Sequence, residues 1–261
     1  MMEFIDTHTH LFVPEFAGDR ALVVERALSA GVKALCLPCI DESSLEPLLD
    51  MCKAYPGVCH AMIGLHPTEL GDDCQGALER LYARLKGCDD FIAIGEVGLD
   101  FYWDDTRRRE QVDVFMQQVE WAAETGLPLA IHSRNAFDEL YSLMDSRRSR
   151  GLTGVFHCFS GSEEEAHKLL SFDGFYLGIG GVVTYKKSTL PAALVNVPLE
   201  RIVLETDSPY LSPVPYRGKR NESSYVVNTA QFLASLYGCS VERIAEVTTA
   251  NALRLFPKIR G

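Results

Sequence analysis

FIAIGEVGLDFYWDDTRRREQVDVFMQQVEWAAETGLPLAIH, residues 91–132, holds one full unit of the architecture. An apolar run at 91–99 leads into a segment, 107–125, where Val112, Phe115, Met116, Val119 and Ala122 recur at helical spacing. A second short apolar run follows at 127–132. Short apolar runs fit buried strands, and a recurrence of about 3.6 residues fits a helix with one buried stripe. Strand, helix, strand in that order predicts a parallel pair joined by a crossover.

The alternation extends in both directions. Further candidate strands are FID (4–6), VKALCLP (32–38), VCHAMIGL (58–65), GVFHC (154–158), GFYLGI (174–179) and RIVLET (201–206), which makes eight. Helix-like segments lie between them, one at 162–171 opened by Ser162 and three glutamates, and two more close the chain at 223–237 and 241–254. Eight β/α units in about 250 residues predict a (β/α)8 TIM barrel, one α/β domain over residues 1–261, better than an open doubly wound sheet. The proline-rich stretch SPYLSPVPYRGKRNES (208–223) interrupts the pattern and reads as a functional loop, since too little chain follows for a separate core.

The 261 residues are 47% hydrophobic, enough for a substantial core, which excludes a disordered tail. Lys and Arg number 25 against 36 Asp and Glu, so the net charge is -11 and no field from the whole molecule draws nucleic acid in. Histone-like or basic-arm DNA binding is thereby excluded, and a polyanionic substrate has to be held by a few placed cations or by metal ions. The first residues, MMEFIDTHTHL, lack a basic region followed by an apolar run, and no stretch approaches the roughly 20 apolar residues of a membrane span. The expectation is a cytoplasmic protein with no membrane association and no obligate protein partner. Of the eight cysteines only Cys36 and Cys39 have C-x-x-C spacing, and with no second pair they read as packing residues before a redox or zinc site.

Chemistry concentrates where the predicted strands end. His8 and His10 stand two apart in an extended segment, so both imidazoles project to one side. Glu96 interrupts the fourth strand, His132 ends the fifth, His157 the sixth, and Asp207 follows the eighth. Buried groups of these types need partners, and all six are types that ligate divalent metals. Six ligands suit two ions that share a carboxylate, with His8, His10 and Asp207 on one, His132 and His157 on the other, and Glu96 as bridge. Two dications against Glu96 and Asp207 leave roughly +2, a local sink for anions in an acidic protein. Arg134, Arg217, Lys219 and Arg220 are candidate phosphate contacts on the same rim. His66 ends the third strand and is a candidate to contact the phosphate or protonate a leaving group, with a structural role the alternative. Asp6 shares the parity of His8 and His10 and reads either as their support or as a plain strand-end aspartate. Phe101, Tyr102 and Trp103 read either as a cap on the core or as a surface for a base, the cap being favoured.

FIDTHTHL, GLHPTE, IGEVGLDFYW, the helix from RRREQ to FMQQ, IHSRNA, FHCFSGS, LETDSPYLSPVPYRGKRNES and VTTANALRLF together resemble the TatD family of metal-dependent deoxyribonucleases. The resemblance spans nearly the whole chain. It implies a (β/α)8 barrel, a two-metal centre of magnesium, manganese or zinc, and hydrolysis of DNA phosphodiester bonds, often from the 3′ end. His8, His10, Glu96, His132, His157 and Asp207 stand at the family's metal positions, and Glu96 takes the place of the carbamylated lysine of related barrels. Two departures stand out: Thr68 where the family's HPH segment has its second histidine, and Ser223 where a proline is common. The implied mechanism is in-line attack of a metal-activated hydroxide, with Asp207 taking its proton. The same centre also suits an ester or amide, as in an aminoacyl-tRNA deacylase, and a third alternative is a binding protein that keeps metal without turnover.

Overall fold

The computed structural model describes residues 2–259. Its sheet has eight strands: β1 (Phe4–Asp6), β2 (Val32–Leu37), β3 (Cys59–Ile63), β4 (Ala93–Asp100), β5 (Leu129–Arg134), β6 (Gly154–Phe156), β7 (Phe175–Ile179) and β8 (Ile202–Leu204). They pair in sequence order from β1 to β8, each neighbour parallel to the next. The seam between β8 and β1 is closed by Thr7 N–H donating to Leu204 O at 3.0 Å, Asp207 N–H to His8 O at 2.9 Å, and a parallel bridge between Thr9 and Ser208. The predicted barrel is the observed one.

Nine helices of the described residues follow the strands, one after each of β1 to β7 and two after β8: α1 (Arg20–Ser29), α2 (Glu42–Ala54), α3 (Cys74–Lys86), α4 (Arg108–Thr125), α5 (Phe137–Asp145), α6 (Glu163–Leu170), α7 (Leu190–Leu194), α8 (Val226–Tyr237) and α9 (Val241–Leu255). Ser162 caps α6 as its sequence foretells, accepting from Glu165 N–H at 3.2 Å while Glu165 accepts from Ser162 N–H at 2.6 Å. The predicted helix from 223 starts later, at Val226, because a short 3-10 turn occupies Ser223–Tyr225.

One apolar cluster takes a residue from every strand, including Ile5, Ala34, Met62, Ala93, Ala130, Val155, Tyr176 and Val203, an arrangement that only the barrel interior allows. Leu255, Phe256 and Ile259 join it, so the end of α9 and the residues after it plug the N-terminal mouth. A larger cluster fills the layer between sheet and helices, with Phe4, Leu35, Phe91, Phe115 and Phe175 fully buried. Each such side chain contributes about 1.5–3 kcal/mol. With one mouth plugged, the C-terminal ends of the strands are left to carry the site.

Two buried glutamines of α4 fix loops at that open mouth. Gln111 accepts from Asp100 N–H at 2.8 Å and donates to Asp100 O at 3.0 Å. Gln118 accepts from Leu65 N–H at 2.7 Å and donates to Leu65 O at 3.2 Å. An amide side chain thus completes the backbone pairing where β3 and β4 give way to loops. Cys36 and Cys39 are buried free thiols, and all eight cysteines are free. No helix among the described residues is long and apolar enough to cross a membrane.

Candidate metal centre

The three strands expected to run to the site residues stop short of them. β3 ends at Ile63, β6 at Phe156 and β8 at Leu204, so His66, His157 and Asp207 sit in the loops just beyond. Asp207 has φ 56° and Cys158, next to His157, has φ 48°, left-handed conformations that end the strand direction and turn the backbone at the mouth. Glu96 and His132 stay within β4 and β5.

All six sequence-predicted ligands lie around Glu96, and His66 joins them; the donors within one ion's reach are His8, His10 and Asp207, then His8, Glu96 and His157, then His66, Glu96 and His132, so His132 and His157, expected on one ion, fall in separate groups. Glu96 stands at the middle with its two oxygens facing different groups. Oε2 lies 3.1 Å from His8 Nε2 and 3.8 Å from His10 Nε2. Asp207 Oδ1 completes that group, 3.2 Å from His10 Nε2 and 3.8 Å from His8 Nε2, and the two imidazole nitrogens are 3.3 Å apart. Oε1 of Glu96 lies 3.0 Å from His132 Nδ1, 3.3 Å from His157 Nε2 and 3.3 Å from His66 Nε2.

These spacings test whether a divalent ion fits. Donors bound at about 2.1 Å to one ion stand roughly 3.0–3.5 Å apart around it. The donor separations of the His8, His10, Glu96 and Asp207 group run from 3.1 to 3.8 Å, close to that range. Nitrogen and carboxylate oxygen together are a donor set for zinc, manganese or magnesium. Buried imidazole nitrogens 3.3 Å apart also need a cation or a proton between them.

The electrostatics agree. Burial alone opposes the Glu96 anion, but the imidazoles of His66, His8 and His157 and the hydrogen bond from His132 outweigh it and hold the carboxyl well below its usual range. Asp207 is likewise disfavoured by burial and pulled below its ordinary value by His10, His157 and His8. His8 is held below the usual imidazole value by burial and by the adjacent His157, a state that keeps a nitrogen lone pair available. Its ring stacks on that of His157 with centroids 3.5 Å apart.

A carboxylate behind the ligands orients one of them, and a second lies beside another. Asp100 Oδ2 meets His132 Nε2 at 2.9 Å, which leaves Nδ1 to face Glu96. Glu205 is fully buried beside His157, 3.1 Å from its Nδ1 but off the line of a hydrogen bond, and accepts from Cys158 N–H at 2.6 Å. Gly178 makes room for it, since a Cβ there would fall on the Glu205 carboxylate. Asp100 and Glu205 were not singled out from sequence, although both are charged residues inside apolar strand ends, the signal that found Glu96. Asp100→Asn is expected to weaken metal binding about 10- to 100-fold, read by competition with a chelator.

Asp6 does not support the histidines' rings. Its carboxylate accepts from Thr206 N–H at 2.9 Å and from the Thr206 hydroxyl at 2.6 Å, and burial pushes its pKa up to about 7. It is the strand-end aspartate of the two readings, and it ties β1 to the Asp207 loop. Thr68 holds the far side of the His66 ring, its hydroxyl 2.7 Å and its backbone nitrogen 3.2 Å from Nδ1, which leaves Nε2 to face Glu96. In that orientation His66 groups with Glu96 and His132 within reach of one ion.

The rim cations part ways. Arg134 lies over the rings of Tyr102 and Trp103, and Arg217 lies 4.0 Å over Tyr185. Lys219 is exposed and makes no ion pair among the described residues. Arg220, expected to face a phosphate, instead pairs with Asp19 through two nitrogens at 2.8 and 2.7 Å, donates to Glu15 O at 2.8 Å, and rests on Phe16. The next residues continue this anchoring: Asn221 donates to Thr206 O at 2.8 Å and Tyr210 O at 2.6 Å, and Glu222 holds Arg26 at 2.6 Å. Ser223, at the frequent proline position, sends its hydroxyl to Thr9 at 3.3 Å. The loop end from Arg220 to Ser223 is therefore a stitch to α1 and to the segment after β1, and not a phosphate rim.

Comparison with known proteins follows the same lines. The model of the family described as TatD related DNase matches residues 5–257. The metal-dependent hydrolase YabD of Bacillus subtilis is 36% identical over 96% of this chain and 98% of its own. A Danio rerio protein named "Putative deoxyribonuclease tatdn3" is 36% identical over 98% of each chain. Among solved structures, the TatD homologue YjjV of Escherichia coli superposes with a TM-score of 0.91 at 30% identity, covering 97% of this chain and 98% of that one.

Proposed function

The chain belongs to the TatD-related DNase family of metal-dependent hydrolases, and from that membership we propose that it cleaves phosphodiester bonds of DNA, removing nucleotides from the 3′ end. The observation that carries the reading is Glu96, whose two oxygens face separate groups of ligand atoms at the open mouth of the barrel. His8, His10 and Asp207 would hold one divalent ion, His132 and His157 a second, with Glu96 between them. Such ions supply the Lewis acidity that makes water a nucleophile near neutral pH and polarises phosphoryl oxygens.

The chain's own residues do the rest. Asp207, whose side chain is 15% exposed where that of Glu96 is 4% exposed, would take the proton of the attacking water. His66 presents Nε2 to the same space and, when protonated there, supplies a hydrogen bond to the phosphate or the departing oxygen. Lys219, Arg217 and Arg134 receive neighbouring phosphates, a local attraction in a protein whose net charge of -11 repels the polymer as a whole.

The test is product mapping on an end-labelled single-stranded oligonucleotide with metal-stripped protein, then after return of Mg2+, Mn2+ or Zn2+. Stepwise shortening from the 3′ end, present only with metal, is expected; an inert metal-loaded protein that hydrolyses a simple ester would overturn the nuclease reading. Two variants separate the rim cations. Lys219→Ala should raise KM and reduce the salt slope of affinity by about one unit. Arg220→Ala should lower the melting temperature with little change in that slope, because its charge is spent on Asp19.

A further inference from the structure

The turn after β4 offers the substrate a surface besides charge. Phe101 takes the capping role, buried beneath the Arg108 guanidinium 4.2 Å away. The next two side chains turn outward, Tyr102 54% and Trp103 67% exposed. An indole left in water forgoes one of the largest burial gains of any side chain, so its exposure at a catalytic mouth calls for a partner. Arg134 of β5 lies 3.9 Å over the Tyr102 ring and 5.3 Å from that of Trp103. Tyr102 and Trp103 meet edge to face, with centroids 5.1 Å apart.

The turn is also tied to the centre. Asp100 Oδ1 accepts from the backbone N–H groups of Tyr102 and Trp103, each at 2.9 Å, while its Oδ2 holds His132. One carboxylate thus sets both the aromatic turn and a ligand histidine.

We infer that the exposed Trp103 ring, met edge-on by Tyr102 and flanked by Arg134, is a stacking platform for a nucleobase of the substrate, the one next to the phosphate at the centre; this rests on the nuclease reading above. Every base has a flat π-face, so the platform accepts any of the four, and Arg134 adds a cation to the stack. A base must leave its own stack to lie there, so the platform selects single-stranded or frayed ends.

Trp103 and Trp121 are the two tryptophans of the chain, and Trp121 is only 7% exposed, stacked on Tyr82. In a Trp121→Phe protein the fluorescence therefore reports Trp103 alone. Thymidine 5′-monophosphate with Mg2+ is expected to quench it, and deoxyribose 5-phosphate is not. Independently, wild-type kcat/KM on an oligonucleotide ending in a normal nucleotide should exceed that on one ending in an abasic nucleotide by about 5- to 100-fold. Trp103→Ala should lose that preference and Trp103→Phe keep most of it. Absence of quenching by the nucleotide, or a preference that survives Trp103→Ala, overturns the platform. Nucleotide quenching in a metal-loaded protein that cleaves no DNA would overturn the nuclease reading and leave the platform as a nucleotide site.

Discussion

Replacing Glu96 with alanine is expected to remove metal binding and turnover together, with kcat/KM lower by at least about a thousandfold. Glu96 is the one side chain with an oxygen toward each half of the ligand cluster, 3.1 Å from His8 on one side and 3.0 Å from His132 on the other. Without it, His8, His10, His66, His132 and His157 are imidazoles crowded around a space with no anion at its centre, and each bound cation would meet a more positive and less complete site. Metal content by mass spectrometry, with far-ultraviolet circular dichroism to verify the fold, checks this. An alanine variant that keeps its metal and full activity contradicts the role given to Glu96.

Gly98→Ala is expected to cost about 3 kcal/mol or more and to lower the melting temperature by roughly 6–12 °C. Gly98 pairs with His132 across β4 and β5 and has φ 142°, a conformation that side chains rarely adopt. A Cβ there would fall on the His132 carbonyl, and backbone cannot step aside as a side chain can. The strands would have to part where one carries Glu96 and the other His132, so metal affinity should fall along with stability. Thermal unfolding and metal titration of the same variant check both; wild-type values in both would show that the close approach of β4 and β5 is not needed.

Much of this was legible in the residues because the barrel repeats one pattern. Eight apolar runs alternating with helical spacing leave few other arrangements, and a polar residue that breaks an apolar strand near its end stands out, as Glu96 and His132 do. The boundaries were less legible. VCHAMIGL and RIVLET read as strands to Leu65 and Thr206, but pairing stops at Ile63 and Leu204, where left-handed turns and side-chain amides take over from the ladder. Support by Asp100, Glu205, Gln111 and Gln118 depends on which residue faces which across the fold, and spacing along the chain carries no such information. Arg220 shows the converse. Its neighbours Arg217 and Lys219 suggest a phosphate rim, yet Asp19, 201 positions away, takes its charge. Phe101, Tyr102 and Trp103 read together as a cap on the core, but only Phe101 takes that place and the other two turn outward.

The most direct measurement is anomalous diffraction from crystals grown with Mn2+. Two peaks flanking the Glu96 carboxylate, roughly 3.5–4 Å apart, are the predicted result, one beside His8, His10 and Asp207 and the other beside His132 and His157. A map with no peak at Glu96 under saturating Mn2+, or with peaks only elsewhere on the molecule, would contradict it.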